Sequence, residues 1–281
     1  LVAHRVWDAG VGGSSPPSST GQPPDLFRRF GITGNIITIT IMETPFLSLI
    51  FPAHNEEERL PHTLEEVDRF LKQQSYTAEV IVVENGSSDR TLELANEYRS
   101  RMPVLKVLHE DGRGKGLAVR RGMLEAHGEY RFFLDVDLSM PVEQINRFFP
   151  PAQPEVQIAI ASREGKGAAR FNEPAYRHWI GRGFNALVRL MALPRLHDSQ
   201  CGFKCFRGDI ADVLFPMQTI MGWTFDVEIL YIALMKGYRV TEIPIPWYHN
   251  PKSKVRVWRD SIQMARDLLS IRRNARRELY G

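Results

Sequence analysis

Residues 78–101 read AEVIVVENGSSDRTLELANEYRSR, and the way this stretch divides decides the fold. Its first part, ending at Glu84, is an apolar run rich in β-branched residues, the signature of a strand. Asn85-Gly86-Ser87-Ser88 then reads as a turn. Asp89 stands where a helix N-cap belongs, ahead of the amphipathic TLELANEYRSR. The stretch predicts one strand, one polar loop and one helix.

Outward from it the same unit repeats. LSLIFPA (47–53) reads as a buried strand and EEERLPHTLEEVDRFLKQQ (56–74) as an amphipathic helix. VLKVLHE (104–110) is a further strand, GKGLAVRRGMLEAHG (114–128) a helix and YRFFLDVD (130–137) a strand. Strands alternating with helices over short connections imply βαβ units and a largely parallel sheet. Ligands of such sheets bind beyond the carboxyl ends of the strands. That edge collects His54-Asn55-Glu56, Glu84-Asn85-Gly86, Gly112 to Gly116, and the pair Asp135 and Asp137.

Beyond Pro150 the pattern loosens. VQIAIASR (156–163) predicts another strand and EGKGAARFNEP (164–174) a mobile loop. AYRHWIGRGFNALVRLMAL (175–193) predicts a helix, DSQCGFKCF (198–206) a turn and short strand, and TFDVEILYIALMKG (224–237) a helix. YRVTEIPIPWYH (238–249) is strand-like, and a basic amphipathic helix over 251–281 closes the chain. Residues 1–44 differ: GVGGSSPPSSTGQPPD is Gly/Ser/Pro-rich and is expected to be disordered, or foreign to the natural protein if translation starts at Met42.

The chain has 281 residues, 43% hydrophobic and 25% charged, with a net charge of +3, so bulk charge marks no polyanion binder. Positive charge gathers instead at the end, from Lys252, Lys254 and Arg256 to Arg276 and Arg277. Interleaved aromatic stacking groups are missing there, which argues against nucleic acid and for an anionic membrane surface. Trp258, Ile262, Ala265 and Leu269 fall on one helical stripe, and Trp179, Phe184, Leu187, Leu190 and Met191 offer a second. No apolar run approaches the length of a membrane span. Two cysteines, Cys201 and Cys205, complete neither a zinc site nor a disulfide framework, so a cytoplasmic location is expected.

Two like charges ending a buried strand repel each other, and burial without a partner is costly. Asp135 and Asp137 make sense around a hard divalent cation, which takes one or two carboxylates and completes its shell with phosphate oxygens and water.

FPAHNEEERL, VVENGSSDRT, GRGKGLAVRRGM, LDVDLS, DSQCGFKCF, FDVEIL and EIPIPWYHNPKSKV occur in this order over about residues 46–273. Together they resemble the inverting family 2 glycosyltransferases of GT-A fold, within them the polyprenyl-phosphate sugar transferases, above all the dolichyl-phosphate β-glucosyltransferases. The resemblance implies an α/β, Rossmann-like catalytic domain over 45–250, with a nucleotide-sugar half (45–150) and an acceptor half (151–250). It implies transfer of glucose from UDP-glucose to a polyprenyl phosphate with inversion, using Mg²⁺ or Mn²⁺, at the cytoplasmic face of a membrane. Mannose from GDP-mannose, another sugar, a non-lipid acceptor, or binding without turnover are the alternatives. On the residues, the resemblance gives nucleotide-sugar contacts to Pro52, Ala53, Asn55, Glu56, Glu84, Asp89, Lys115 and Asp135. Glu84 departs from the aspartate usual at its position. Asp135 and Asp137 match the metal-binding D-x-D. Asp137 and Asp198 take the catalytic positions, Asp198 as the base or as a group that orients the sugar or an arginine. Arg163, Lys204, Lys252 and Lys254 fall where an acceptor phosphate is held, and Asp226 and Glu228 near the sugar.

Overall fold

This computed structural model describes residues 28–33, 36–41, 44–250 and 257–281; of residues 28–33, 36–41, 177 and 257–261 it describes the backbone alone. The Gly/Ser/Pro-rich stretch, Lys252 and Lys254 lie outside the described residues. The chain divides into two units, with the boundary between Glu43 and Thr44. Within the first, β1 (Arg28–Thr33) and β2 (Ile36–Ile41) pair antiparallel, Arg28 opposite Ile41. The sequence reading expected no regular structure in 1–44; the alternating Ile and Thr of β2 are β-branched and favour the extended backbone found.

The second unit contains β3 (Leu47–Ala53), α1 (Leu60–Leu71), β4 (Ala78–Asn85), α2 (Thr91–Tyr98), β5 (Leu105–Glu110), α3 (Lys115–Glu125) and β6 (Tyr130–Leu134). It continues with β7 (Ile158–Ser162), β8 (Ala169–Phe171), α4 (Ala175–Met191), β9 (Phe203–Arg207), α5 (Gly208–Leu214), α6 (Phe225–Met235), β10 (Val240–Pro244), β11 (Pro246–Tyr248) and α7 (Val257–Arg276). Seven strands form the main sheet in the order β10-β7-β9-β6-β3-β4-β5. All its pairings are parallel except those of β9, which runs antiparallel to β6 and β7.

Strand alternation splits the core into two layers. Leu49, Phe51, Val80, Val82, Phe132 and Phe203 face one layer; Ile50, Ile81, Val83, Phe133 and Phe206 face the other. Successive residues of one strand point to opposite faces, and both faces here are covered, so the strands read as continuous apolar runs. Phe132 meets Phe203 edge-on at 4.6 Å, and Phe133 meets Phe225 at 5.5 Å. These aromatic contacts tie β6, whose end carries Asp135, to β9 and α6.

Several boundaries differ from the expectation: β6 stops at Leu134, short of Asp135 and Asp137, and the strand expected over 238–249 is split into β10 and β11. α1 begins at Leu60 rather than near Glu56, because Glu56 is held off the helix: its N–H donates to Thr91 Oγ1 at 2.7 Å. Asn55 beside it takes a left-handed conformation, φ 53°. The 164–174 segment, expected as a loop, contains β8, which pairs in parallel with β11. Phe171 stacks on Tyr248 across that pair at 4.7 Å, which favours the pairing.

Candidate active site at the carboxyl edge of the sheet

Two cavities open at this edge and share Lys115, Asp135, Asp137 and Trp223. The first, about 760 Å³, is lined by Pro52, His54, Asn55, Glu56 and Arg59 after β3, by Asn85 after β4, and by Arg113 and Gly114 before α3. That volume lies within the range of small-molecule and cofactor pockets. The second, about 290 Å³, is lined by Arg163, Arg170 and Trp247, and by Ile180, Phe184 and Met264 from α4 and α7.

The shared floor is electrostatically divided. Lys115 Nζ pairs with Asp135 Oδ1 at the start of α3. Burial opposes the Lys115 charge, but Asp135, aided by Asp226 and Asp137, outweighs it and raises the proton affinity of the amine. Burial first and the Asp135 charge second push the Asp137 carboxyl upward, partly offset by the Ser139 N–H that it accepts at 3.0 Å. Among the described residues no group of three or more His, Cys, Asp or Glu gathers to hold a metal. Two carboxylates beside an open cavity still fit a cation that takes its other ligands from phosphate and water.

Asp198 and Arg163 form the pair on the acceptor side. Asp198 is fully buried. It accepts Arg163 Nε at 2.7 Å, Nη2 at 2.8 Å and the Arg163 backbone N–H at 2.9 Å. Burial alone would raise the Asp198 carboxyl; the guanidinium and these bonds win and hold it down at about 2. Asp198 lines neither cavity, so the geometry gives it the orientation of Arg163, and service as a base would require it to leave that pair. Arg163 lies 5.4 Å over the Trp247 ring and Arg170 6.0 Å from it, so one indole braces both guanidinium groups. Arg170 is also held by Glu164 and Glu173.

Not every expected contact reaches a cavity. Lys204 is fully buried, and its amine donates to Cys201 O at 2.5 Å and to Asp226 Oδ2 at 3.2 Å. It cannot grip an acceptor phosphate directly, and the sequence expectation is corrected: Lys204 supports Asp226, which does line the second cavity. Asp89 caps its own loop, accepting the N–H and hydroxyl of Thr91 and the Glu57 N–H, and is not among the cavity residues. Ala53 is buried at the end of β3, with only Pro52 before it facing the cavity. Glu84 is buried too; one oxygen accepts Ser87 N–H, and the other lies 2.6 Å from His109 Nδ1. Glu228 is enclosed and holds a loop rather than a ligand.

Several lining residues escaped sequence reading. Arg59 and Trp247 stand within quoted motifs but were given no role, and Trp223 lies in none of them. A tryptophan in a turn, as in Met221-Gly222-Trp223, was the available signal, since large apolar side chains in turns favour binding surfaces over core. Gly202 was quoted within its motif but given no role. A Cβ there would run into the Asp135 carboxylate, with Cγ at 2.7 Å, so a glycine lets β9 close under the metal-type pair.

Residues 48–215 match the family described as Glycosyl transferase family 2. The chain belongs to that family. The dolichyl-phosphate beta-glucosyltransferase of Drosophila melanogaster is 36% identical over 242 residues, covering 80% of this chain and 74% of the fly protein. The Homo sapiens protein of the same name is 33% identical, covering 82% of this chain and 75% of its own length. Among solved structures, glucosyl-3-phosphoglycerate synthase from Mycobacterium tuberculosis, in complex with Mn²⁺, UDP-glucose and phosphoglyceric acid, superposes with a TM-score of 0.58. It shares 17% identity, over 81% of this chain and 79% of that one. A mannosyltransferase from Pyrobaculum calidifontis, in complex with GDP-Man and Mn²⁺, gives 0.51 at 19% identity over 78% of this chain and 61% of that one. The fold is GT-A.

Proposed function

We propose that this protein moves glucose from UDP-glucose to a dolichyl-type polyprenyl phosphate, with inversion at the sugar. The observation that carries the reading is the meeting of two cavities at Lys115, Asp135, Asp137 and Trp223, in a chain whose relatives bear that activity in their names. The larger cavity is the donor side. Its cations Arg59, Arg113 and Lys115 suit a diphosphate, and the carboxyl end of a parallel sheet is where such ligands settle. Asn55 and Glu56 are the expected nucleotide-side contacts there. Mg²⁺ or Mn²⁺ held by Asp135 and Asp137 would act as a Lewis acid on the departing diphosphate.

On the other side, Arg163 and Arg170 bring positive charge to the cavity for a phosphate monoester, held in place by Asp198, Glu173 and Trp247. A phosphate of second pKa about 6 is largely a dianion at neutral pH and attacks without a protein base. That argument favours Asp198 as the group that keeps Arg163 in place. Attack from the acceptor cavity on a sugar whose leaving group lies in the donor cavity supports inversion.

A lipid acceptor calls for contact with a membrane surface. Among the described residues no helix is long and apolar enough to cross a membrane. The mouth of the acceptor cavity is flanked by α4 and α7. Trp179 and Leu190 of α4 are 71% and 83% exposed, and Ile262 and Leu269 of α7 are exposed beside Arg266, Arg272 and Arg273. Apolar side chains with arginines beside them suit the headgroup layer of an anionic membrane. We place the protein at the cytoplasmic face, in keeping with its two free, buried cysteines.

The test is transfer of radiolabel into organic solvent from UDP-glucose and, separately, from GDP-mannose, with polyprenyl phosphate in detergent and Mg²⁺ or Mn²⁺. EDTA-sensitive label from UDP-glucose alone is the expected outcome. Label from GDP-mannose alone would reassign the sugar, and label from neither would remove the reaction.

A further inference from the structure

Trp223 lines both cavities, and Lys115 Nζ lies 5.7 Å over its ring. The loop that carries it, residues 218–224, has no strand or helix of its own to hold it. Side chains hold it instead. Towards α3, Gln218 Nε2 donates to Gly116 O and Ile220 O at 2.9 and 2.8 Å, and Leu117 N–H donates to Met221 O. Gly114, at φ 141°, lets the two loops touch, since a Cβ there would strike the Met221 carbonyl.

Away from the cavities the same loop is tied to the C-terminal segment. Glu228 accepts the N–H groups of Thr219 and Ile220 at 2.9 and 2.7 Å, and the Thr219 hydroxyl. Its remaining donor is Tyr280, whose hydroxyl lies 2.6 Å from Glu228 Oε1. Asn274 at the end of α7 donates to both Tyr280 and Thr219. At the other end of the loop, Thr224 Oγ1 donates to Asp267 Oδ2 of α7 at 2.8 Å. Glu228 and Tyr280 are buried and line neither cavity. A buried carboxylate is stable only while its donors surround it, so losing one shifts the groups it holds.

We propose that the C-terminal segment sets where Trp223 stands between donor and acceptor, with Tyr280 as a positioning residue acting through Glu228. The proposal rests on the transferase reading above. It ties the reaction to the helix that flanks the acceptor-cavity mouth: Met264 of α7 lines that cavity, while Asp267, Asn274 and the segment beyond fix the loop.

A double-mutant cycle of Tyr280→Phe and Trp223→Phe, read in the glucose-transfer assay with thermal melting alongside, decides it. Tyr280→Phe keeps the buried ring and removes one hydroxyl; kcat is expected to fall about fivefold with the KM for UDP-glucose within about twofold. In the Trp223→Phe background the same change is expected to cost less than about twofold, because the residue it acts through is already altered. Equal losses in both backgrounds would overturn the proposal, since a purely structural tyrosine gives additive effects. Should Tyr280→Phe fail to fold, Asp267→Asn frees the other end of the loop and carries the same cycle. No transfer by the unmodified chain overturns the transferase reading and this proposal with it; transfer with additive losses overturns this proposal alone.

Discussion

The two cavities share a floor yet differ in how far their charges are enclosed. On the donor side, polar residues that follow the strand ends stand directly in the cavity, as Asn55, Glu56 and Asn85 do. On the acceptor side, much of the charge is spent inside the protein: Asp198 on Arg163, Lys204 on Asp226, Glu164 and Glu173 on Arg170. The donor side is a set of loops on a sheet edge, joined by the Arg59–Glu56 pair and by bonds from Asn85 to Gly114 O and from Ser88 N–H to Asn55. The acceptor side lies between a short strand pair and two helices, and ion pairs have to fix its arginines. Presence of a charge in sequence therefore does not by itself predict contact on either side: Glu84 and Asp89 miss the donor cavity as Lys204 misses the acceptor cavity.

The comparison breaks first at the shared floor. If Asp135 and Asp137 hold the cation for the diphosphate, Asp135→Ala or Asp137→Ala should lower transfer about 10³-fold, the scale of several kcal/mol of lost Lewis-acid stabilisation. Asp137→Ala should change the melting temperature little, because it removes one of two repelling charges, whereas Asp135→Ala also leaves Lys115 without its partner and should lower it. Near-normal label in the lipid phase from both variants would take the pair out of the reaction.

Next comes the buried pair that orders the acceptor side. Asp198→Asn leaves the Arg163 charge enclosed without its counter-ion, and removing one partner of a buried pair costs about 3 kcal/mol or more. Stability and transfer should therefore fall together, whereas a base whose only task is proton transfer would cost rate at unchanged melting temperature. The pH dependence has a definite sign. The Asp198 carboxyl is depressed to about 2 in the fold, against about 3.9 in an unfolded chain. Its contribution is whole above about pH 4 and is lost as pH falls through about 2, where the unfolded chain gains a proton first. Thermal melts from pH 5 to pH 2 should show the unmodified protein losing stability faster than Asp198→Asn.

What could be read from sequence follows the same divide. The strand–helix alternation from Leu47 to Leu134 was legible because each element repeats the period of its kind, and the loops between them are too short to allow other pairings. The pair Asp135 and Asp137 was legible because a buried strand rarely ends on two charges without a reason. Lys204 was not, since nothing in DSQCGFKCF says which side of β9 faces the sheet interior; the register opposite Phe133 turns its amine under the floor. Asp89 was read on the cavity because its motif lies there, while its short side chain closes back on Thr91. Trp223 and Trp247 meet Lys115 and Arg163 across long stretches of chain, so beyond the turn around Trp223 no local pattern places them.

The smallest expected effect compares two glycines of the acceptor side, one against the shared floor and one on an open helix face. Gly202 lies against Asp135, and a methyl group there would stand within 2.9 Å of Oδ1 as well as crowding the rest of the carboxylate. Lys115 also holds Asp135, so a methyl group at Gly202 has to move a carboxylate that is already paired. Gly202→Ala should lower kcat about tenfold, equivalent to about 1.4 kcal/mol, and raise the Mn²⁺ concentration needed for half-maximal transfer. Gly183, on the exposed face of α4, has nothing within 4 Å of its built Cβ. Gly183→Ala should leave both values unchanged and raise the melting temperature slightly, as alanine does inside a helix. A metal requirement that stays put in Gly202→Ala would mean that Asp135 keeps its orientation without help from β9. The floor would then belong to the donor side alone, rather than being set by the strand that runs against the rest of the sheet.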